Sequence, residues 1–500
     1  MKSYSRLVCL AVLVFSNSFV AAQPKVLPRQ PNGLPVPVPA QVNPAHEKAK
    51  RDAEQAYTEG KYNTVITLME TVIRQNPRDD VALYLRGSAR IEEGVQQNNQ
   101  KLIRDGISDS RQSILYDKKG EAIYYLPYLY GMTNLTLMEG KPQHATVSVQ
   151  VATSSLQDSK LKGQDKANLL YQRAFAHQAL KKFDEAAKDY QAAIAEFPAH
   201  LGAHVALAET YLQDNKEAQA LAAFEAAVKT FPNSALIYNN RGTHFQQKGD
   251  FDKAILDFTQ ALREDPNYYH SYTNRAYCLM EQGKASAAEI DYTDSLKRND
   301  RQSNVYSLRA IARLAQGKAA EAAEDYQAII RLEPNNAVAW GDLGFARFFN
   351  KDYQGAFDAF SAAVKLSDEL RYVDSWRYLA LTKSGKEAQA KALFANSLNK
   401  IPVQRDWIDS LIAYQAGAIE MGGLLAAVDK TDPEIRKIQE CEAQFFAGQL
   451  LIAKGEAQKA GEHFRNAIGT NLKHLSVYRG SRYELQEFSQ TAVQPLPKIN

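Results

Sequence analysis

An arginine and an aspartate sixteen positions apart, Arg241 and Asp257, are the first residues in this 500-residue chain whose types and spacing suggest chemistry. A guanidinium held against a carboxylate can orient a catalytic acid or bind an ionic ligand. The pair recurs at the same separation as Arg173/Asp189, Arg275/Asp291 and Arg309/Asp325, and again as Arg86/Asp109, widened by seven residues. Where the arginine gives way to Leu207 or Leu343, the aspartate gives way to Ala223 or Ala359; Arg377 with Leu393 is the exception. An active site is not copied five times along one chain. The joint change from charged to apolar predicts contact between two elements of a repeated unit, so these are structural pairs. On that reading, removing Asp257 alone costs more stability than replacing both partners by leucine and alanine.

Other candidates for chemistry are thin. His200 and His204 in HLGAH have the i,i+4 spacing that can hold a metal on a helix. His200 falls between units, however, and no third ligand is near, so a surface pair is expected. Cys9, Cys278 and Cys441 show neither CxxC nor Cys/His spacing, which speaks against a disulfide framework or a zinc site. The chain has no phosphate-binding glycine loop, no GxGxxG after a strand, no HExxH and no GxSxG. Carboxylates are abundant, but i,i+4 pairing on solvated helix faces accounts for them. The acceptor sequon Asn134-Leu135-Thr136 falls within a helix and is discounted. Accordingly no catalytic, cofactor-binding or metal residue is assigned, and the chain is read as a non-enzyme without cofactors. A net charge of +3 with no long basic run argues against a nucleic-acid partner.

What positions these residues is a period of 34. A small residue recurs at Ala174, Ala208, Gly242, Ala276, Ala310 and Gly344. A later alanine recurs at Ala186, Ala220, Ala254, Ala288, Ala322, Ala356 and Ala390, followed four residues on by Tyr190, Phe224, Phe258, Tyr292, Tyr326, Phe360 and Phe394. Prolines close several units, and seven units run without a gap from 167 to 404. Small residues let two helices approach, the aromatic fills the space beside them, and proline stops the second helix. Glycines in KGDF, EQGK and AQGK mark the turns. One such hairpin cannot bury its own apolar face, so neighbours must stack.

In WGDLGFARFFNKDYQGAFDAFSAAVKL (340–366) the unit resembles a tetratricopeptide repeat with nearly the whole family pattern. The resemblance implies an all-α fold, a right-handed α-solenoid or superhelix of about ten to eleven helix-turn-helix repeats. Degenerate units fill 45–160, with an insertion near 94–104, and one further unit spans 441–474. The segments WRYLALTKSGKEAQAKALF, WIDSLIAYQAGAIEMGGLLAAV and the stretch from CEAQFF to ELQEF, together 371–488, are similar to the end of the bacterial new lipoprotein I (NlpI) family. That family is a periplasmic repeat protein that binds proteases and cell-wall hydrolases. This chain lacks its lipobox cysteine and carries many more repeats.

Residues 1–22 read as an export signal, with basic Lys2 and Arg6, the apolar LVCLAVLVF and small residues before Gln23. Residues 23–44 hold seven prolines and form an extended linker. After signal removal no transmembrane segment is expected, 405–488 forms the C-terminal helices, and 489–500 is a flexible tail. The expected location is exported, periplasmic or extracellular.

In the repeat family the first helix of each unit lines a concave groove for other proteins or extended peptides. The resemblance places Asn239, Asn240, Thr243, Gln246 and Gln247, then His270, Thr273, Asn274 and Tyr277, on that face. Asparagines there can hold the backbone of an extended peptide. Phe345, Phe348, Phe349 and Trp376 form an aromatic cluster that either anchors a partner or packs between units. Family members that grip a terminal carboxylate do so with lysines and arginines, where this chain has Thr243, His270 and Thr273, so no Hsp90-type partner is expected. The functional expectation is an exported scaffold or adaptor that recruits envelope proteases or cell-wall enzymes. The alternative is a recognition subunit of a glycan-modifying or secretion complex whose catalytic part is another chain.

Overall fold

The computed structural model describes residues 43–473 and 475–491, so the expected signal, most of the proline-rich linker and the tail beyond 491 lie outside the described residues. All regular elements among the described residues are helices. The chain divides into two compact units between Arg241 and Gly242, within helix Ala235–Gln247.

In the N-terminal unit the hairpins are Pro44–Thr58 with Tyr62–Gln75, Asp80–Gln96 with Gln100–Tyr116, and Tyr125–Glu139 with Pro142–Ser155. Gly163–Ala179 with Phe183–Glu196 and Leu201–Gln213 with Glu217–Thr230 follow. The first helix begins at Pro44 rather than after it, because proline suits the first helical position and Asn43 accepts from the Ala45 amide. The insertion does not make a loop. Both helices of that hairpin have 17 residues, against 13 and 14 in a regular one, so each is longer by about a turn.

The C-terminal unit continues with Tyr269–Glu281 and Ala285–Arg298, Ser303–Ala315 and Ala319–Leu332, and Ala337–Phe349 and Tyr353–Leu366. Its hairpin turns use left-handed glycines, with φ of 77° at Gly249 and 74° at Gly283. Gly242 shows why the position is kept small. A Cβ there would stand 2.8 Å from the Phe258 ring, inside van der Waals contact. The unit built on Asp374–Lys383 departs from the pattern: its second helix stops at Leu393 and restarts as Ala395–Asn399. Trp407–Gln415, Met421–Ala426, Pro433–Ala453, Ala457–Gly469 and Ser476–Thr491 then complete the chain, the last extending two residues past the expected start of the tail at 489.

The repeated ion pairs lock first helix to second. Arg173 donates from Nε and Nη2 to the two Asp189 oxygens at 2.8 and 2.6 Å. Arg275 does the same to Asp291 at 2.7 and 2.8 Å, and Arg309 reaches Asp325 at 2.6 Å. In the lengthened hairpin Arg86 and Arg90 share Asp109. Asp257 is buried, and the Arg241 guanidinium lies over the Tyr238 ring at 5.8 Å. A third contact has no counterpart in the sequence reading. Arg275 Nη1 donates to Thr259 Oγ1 and Arg309 Nη1 to Thr293 Oγ1, each at 3.1 Å and each on the second helix of the preceding hairpin. The signal was present: threonine follows the recurring aromatic in both units, at Phe258-Thr259 and Tyr292-Thr293. Arg377, the exception, donates to Asp374 and to Ser361 Oγ, the residue after Phe360.

Candidate functional site

The first helices of the N-terminal unit present one face that carries amides, phenols and carboxylates. On helix Ala235–Gln247, Asn240 donates from Nδ2 to Glu209 Oε1 at 3.0 Å, and Asn239 donates to Asn240 Oδ1 at 3.4 Å. Asn239 is buried and Asn240 half-buried, so of the two Asn240 has more side chain on the face. Glu209, on helix Leu201–Gln213, has no ion pair with a described cation. Burial pushes its carboxyl up to about 7, because the charged form loses hydration that no counter-charge replaces.

The preceding first helix, Gly163–Ala179, contributes Tyr171, which stacks on His200 with ring centroids 5.0 Å apart and tilts against Tyr190 at 5.4 Å. Burial, then the Glu209 charge, raise the Tyr171 phenol. The same character continues toward the N-terminus. Tyr130 stacks on Phe175 at 6.0 Å. Burial and then Glu92 raise the Tyr57 and Tyr130 phenols. Tyr84 is pushed up to about 12 by burial, with Glu54 adding to it and a hydrogen bond from Ser88 opposing.

Of the histidines expected at the surface, His204 is buried and His200 half-buried. His200 caps helix Leu201–Gln213, its Nδ1 accepting from the Ala203 amide at 3.1 Å, and burial lowers it to about 4. His204 is buried, within 3.1 Å of the Pro198 carbonyl, and burial lowers it too. Among the described residues no group of three or more His, Cys, Asp and Glu is placed to hold a metal ion. Cys278 and Cys441 are buried free thiols. Asn134 of the sequon is buried and donates to the Tyr130 carbonyl at 2.9 Å.

In the C-terminal unit the expected face is divided. His270 is exposed and lies beside Tyr269, centroids 4.0 Å apart, while Thr243, Asn274 and Tyr277 are half-buried. Thr273 turns inward instead, sharing a 2.8 Å hydrogen bond with Ser295. Further along, the aromatic cluster is no anchor for a partner. Phe345, Phe348, Phe349 and Trp376 are between 2% and 5% exposed. Trp376 packs on Phe345 at 5.0 Å, Phe348 at 5.2 Å and Phe445 at 4.8 Å.

What covers the cluster is the chain's own helix Ser476–Thr491. Tyr483 lies against Phe349 at 5.4 Å, and Gly480 comes close enough that a Cβ would stand 2.8 Å from Phe445. A small cavity remains, lined by Leu314, Asp342, Phe345, Phe349, Arg479 and Tyr483. Burial pushes the Asp342 carboxyl up to about 6, opposed by the Arg479 guanidinium.

Profiles described as Tetratricopeptide repeat match residues 177–239, 235–268 and 308–370. Among solved structures, the chain is similar to the C-terminal part of a TPR repeat-containing protein from Cytophaga hutchinsonii, with 18% identity over 49% of this chain and 95% of that one (TM-score 0.39). It is also similar to YrrB, a TPR protein with an unusual peptide-binding site, with 18% identity over 36% and 94% (TM-score 0.33). The first TPR of Spaghetti, solved with an HSP90 peptide, is 31% identical over 24% of this chain and 94% of its own (TM-score 0.22). No curated protein matches the chain in sequence.

Proposed function

We propose, from the premise that the chain belongs to the tetratricopeptide repeat family, that it is a non-enzymatic scaffold recruiting other proteins along its first-helix faces. The observation that carries this reading is the first-helix face on which Glu209 and Asn240 are half-buried and bonded to each other. In the N-terminal unit the described helices pack mainly on their hairpin partners and on adjacent hairpins. Polar groups held half-buried on a rigid surface suit an extended peptide, whose backbone needs both donors and acceptors.

The leader at residues 1–22 supports export, and no described helix is long and apolar enough to cross a membrane. The resemblance of 371–488 to the new lipoprotein I family supports envelope proteases or cell-wall hydrolases as the recruited class. Affinity capture from envelope extract, with bound proteins identified by mass spectrometry, tests the reading. The native chain is expected to retain a protease or hydrolase that Asn240→Ala with Asn274→Ala releases, at unchanged far-UV circular dichroism. Capture that is indifferent to both substitutions removes the first-helix face as the binding surface.

A further inference from the structure

We propose that the ligand of the N-terminal unit is an extended basic segment, one lysine or arginine of which seats on the half-buried Glu209 carboxylate beside Asn240. The inference rests on the reading that this face takes peptides, and adds which peptides.

Three observations on the structure carry it. The first is the state of Glu209. It accepts from Asn240 at 3.0 Å yet makes no ion pair with a described cation, and a carboxylate has room for several donors. A half-buried carboxylate without a counter-charge is costly unless a ligand supplies one.

The second is that several cations of this unit are already engaged. Arg173 is held in the bidentate bond to Asp189, and Arg86 and Arg90 are held by Asp109. Lys216, in the turn after helix Leu201–Gln213, pairs with Asp184 and Asp214.

The third is the sign of the field along the face. The charged groups acting on the Tyr57, Tyr84, Tyr130 and Tyr171 phenols are carboxylates: Glu92 on Tyr57 and Tyr130, Glu54 on Tyr84, and Glu209 on Tyr171. Carboxylates along the face favour a cation through their charge. An acidic segment would meet repulsion here, and a neutral one would leave the Glu209 cost in place.

Glu209 also gives the site a pH response. The titratable groups that face it are the phenols of Tyr171 and Tyr190, on helices Gly163–Ala179 and Phe183–Glu196, and no charged side chain on its neighbours shifts it. A cation binds the ionised form, so a basic peptide binds better as pH rises through the free carboxyl's value of about 7. Between pH 6 and pH 8 the ionised fraction, and with it the affinity, rises roughly tenfold.

Random ten-residue peptides displayed on phage and selected against the purified protein at pH 8 test the proposal, with affinities of fluorescein-labelled winners read by anisotropy. Selected peptides are expected to concentrate lysine or arginine at one position. Changing that residue to glutamine should lose at least about tenfold in affinity. Glu209→Gln should lose the same, abolish the pH response and leave far-UV circular dichroism unchanged. The two losses should not add, since they remove the two sides of one contact. Peptides that bind without a basic preference, or that bind Glu209→Gln equally at both pH values, overturn the basic-ligand proposal and leave the peptide-binding reading standing. Failure to select any peptide overturns both.

Discussion

Glu209 and Phe345 occupy the same register of the repeat, four periods apart, and meet opposite surroundings. At Phe345 the first-helix face is closed by the chain's own helix Ser476–Thr491, and the ring is buried against Phe360 and Trp376. At Glu209 the described helices of its unit pack mainly on hairpin partners and adjacent hairpins, and a half-buried carboxylate stands where the phenylalanine stands. The neighbouring acids repeat the contrast. Asp342 faces Arg479, a cation supplied by the covering helix, whereas Glu209 faces phenols and an amide. One backbone register therefore serves two ends: an apolar residue under the covering helix, a polar one where the side chain is half-buried. Position in the repeat fixes direction; what arrives from that direction fixes the residue.

The largest expected effect comes from breaking the closed region. Phe345→Ala should destabilise the C-terminal unit by about 3–5 kcal/mol through lost burial and a cavity. All three tryptophans, Trp340, Trp376 and Trp407, lie in that unit, so denaturant unfolding followed by tryptophan fluorescence reads it directly. Glu209→Ala at the equivalent position should cost less than about 1 kcal/mol by far-UV circular dichroism. Equal losses at the two positions would erase the distinction.

The ion pairs give an intermediate test. The Asp325 side chain is 2% exposed and that of Asp189 is 11%. Burial raises the Asp325 carboxyl even with Arg309 and Arg313 opposing, the mark of a pair whose desolvation is costly. Asp325→Ala should lose about 3–5 kcal/mol by stranding Arg309, and Arg309→Leu with Asp325→Ala should recover much of it. Asp189→Ala should cost less, about 1–3 kcal/mol, with the wetter Arg173 left behind. A double variant no better than Asp325→Ala would show that the pair does not act as a unit.

The smallest effect sharpens the open region. Glu209 titrates near 4.5 when unfolded and about 7 when folded. Between those values the folded chain holds the proton more tightly, so stability present below pH 4.5 is lost as pH rises through 7. Glu209→Gln should melt higher than the parent above pH 7 and alike below pH 4.5. Parallel melting profiles across that range would mean the carboxyl is not perturbed by its site.

Much of the fold was legible because it repeats. Ala174, Gly242 and Gly344 with their aromatics announce a helical hairpin by period alone, and Gly249 and Gly283 announce its turns. Lys181, Asn215 and Lys351 adopt the same left-handed geometry without glycine, so composition underreports the turns. Phe345, Phe349 and Trp376 were correctly placed on a first helix, but their exposure was not readable. The covering helix begins a hundred or more residues later and outside the 34-residue register; a lone Gly480 within a helix was its faint trace. Glu209 was missed for a related reason. The pattern that singles out Asn240 says nothing of a carboxylate on the preceding first helix, and only the 3.0 Å bond joins them.

Helix Ser476–Thr491 has a consequence for assembly as well as for burial. Stacked hairpins are open-ended: each offers its successor the surface its predecessor offered it, and a bare end is a template for a second molecule adding head to tail. This helix packs on both Pro433–Ala453 and Ala457–Gly469, the last hairpin of the chain. It therefore occupies surface of the last described hairpin that would otherwise be open to a second molecule.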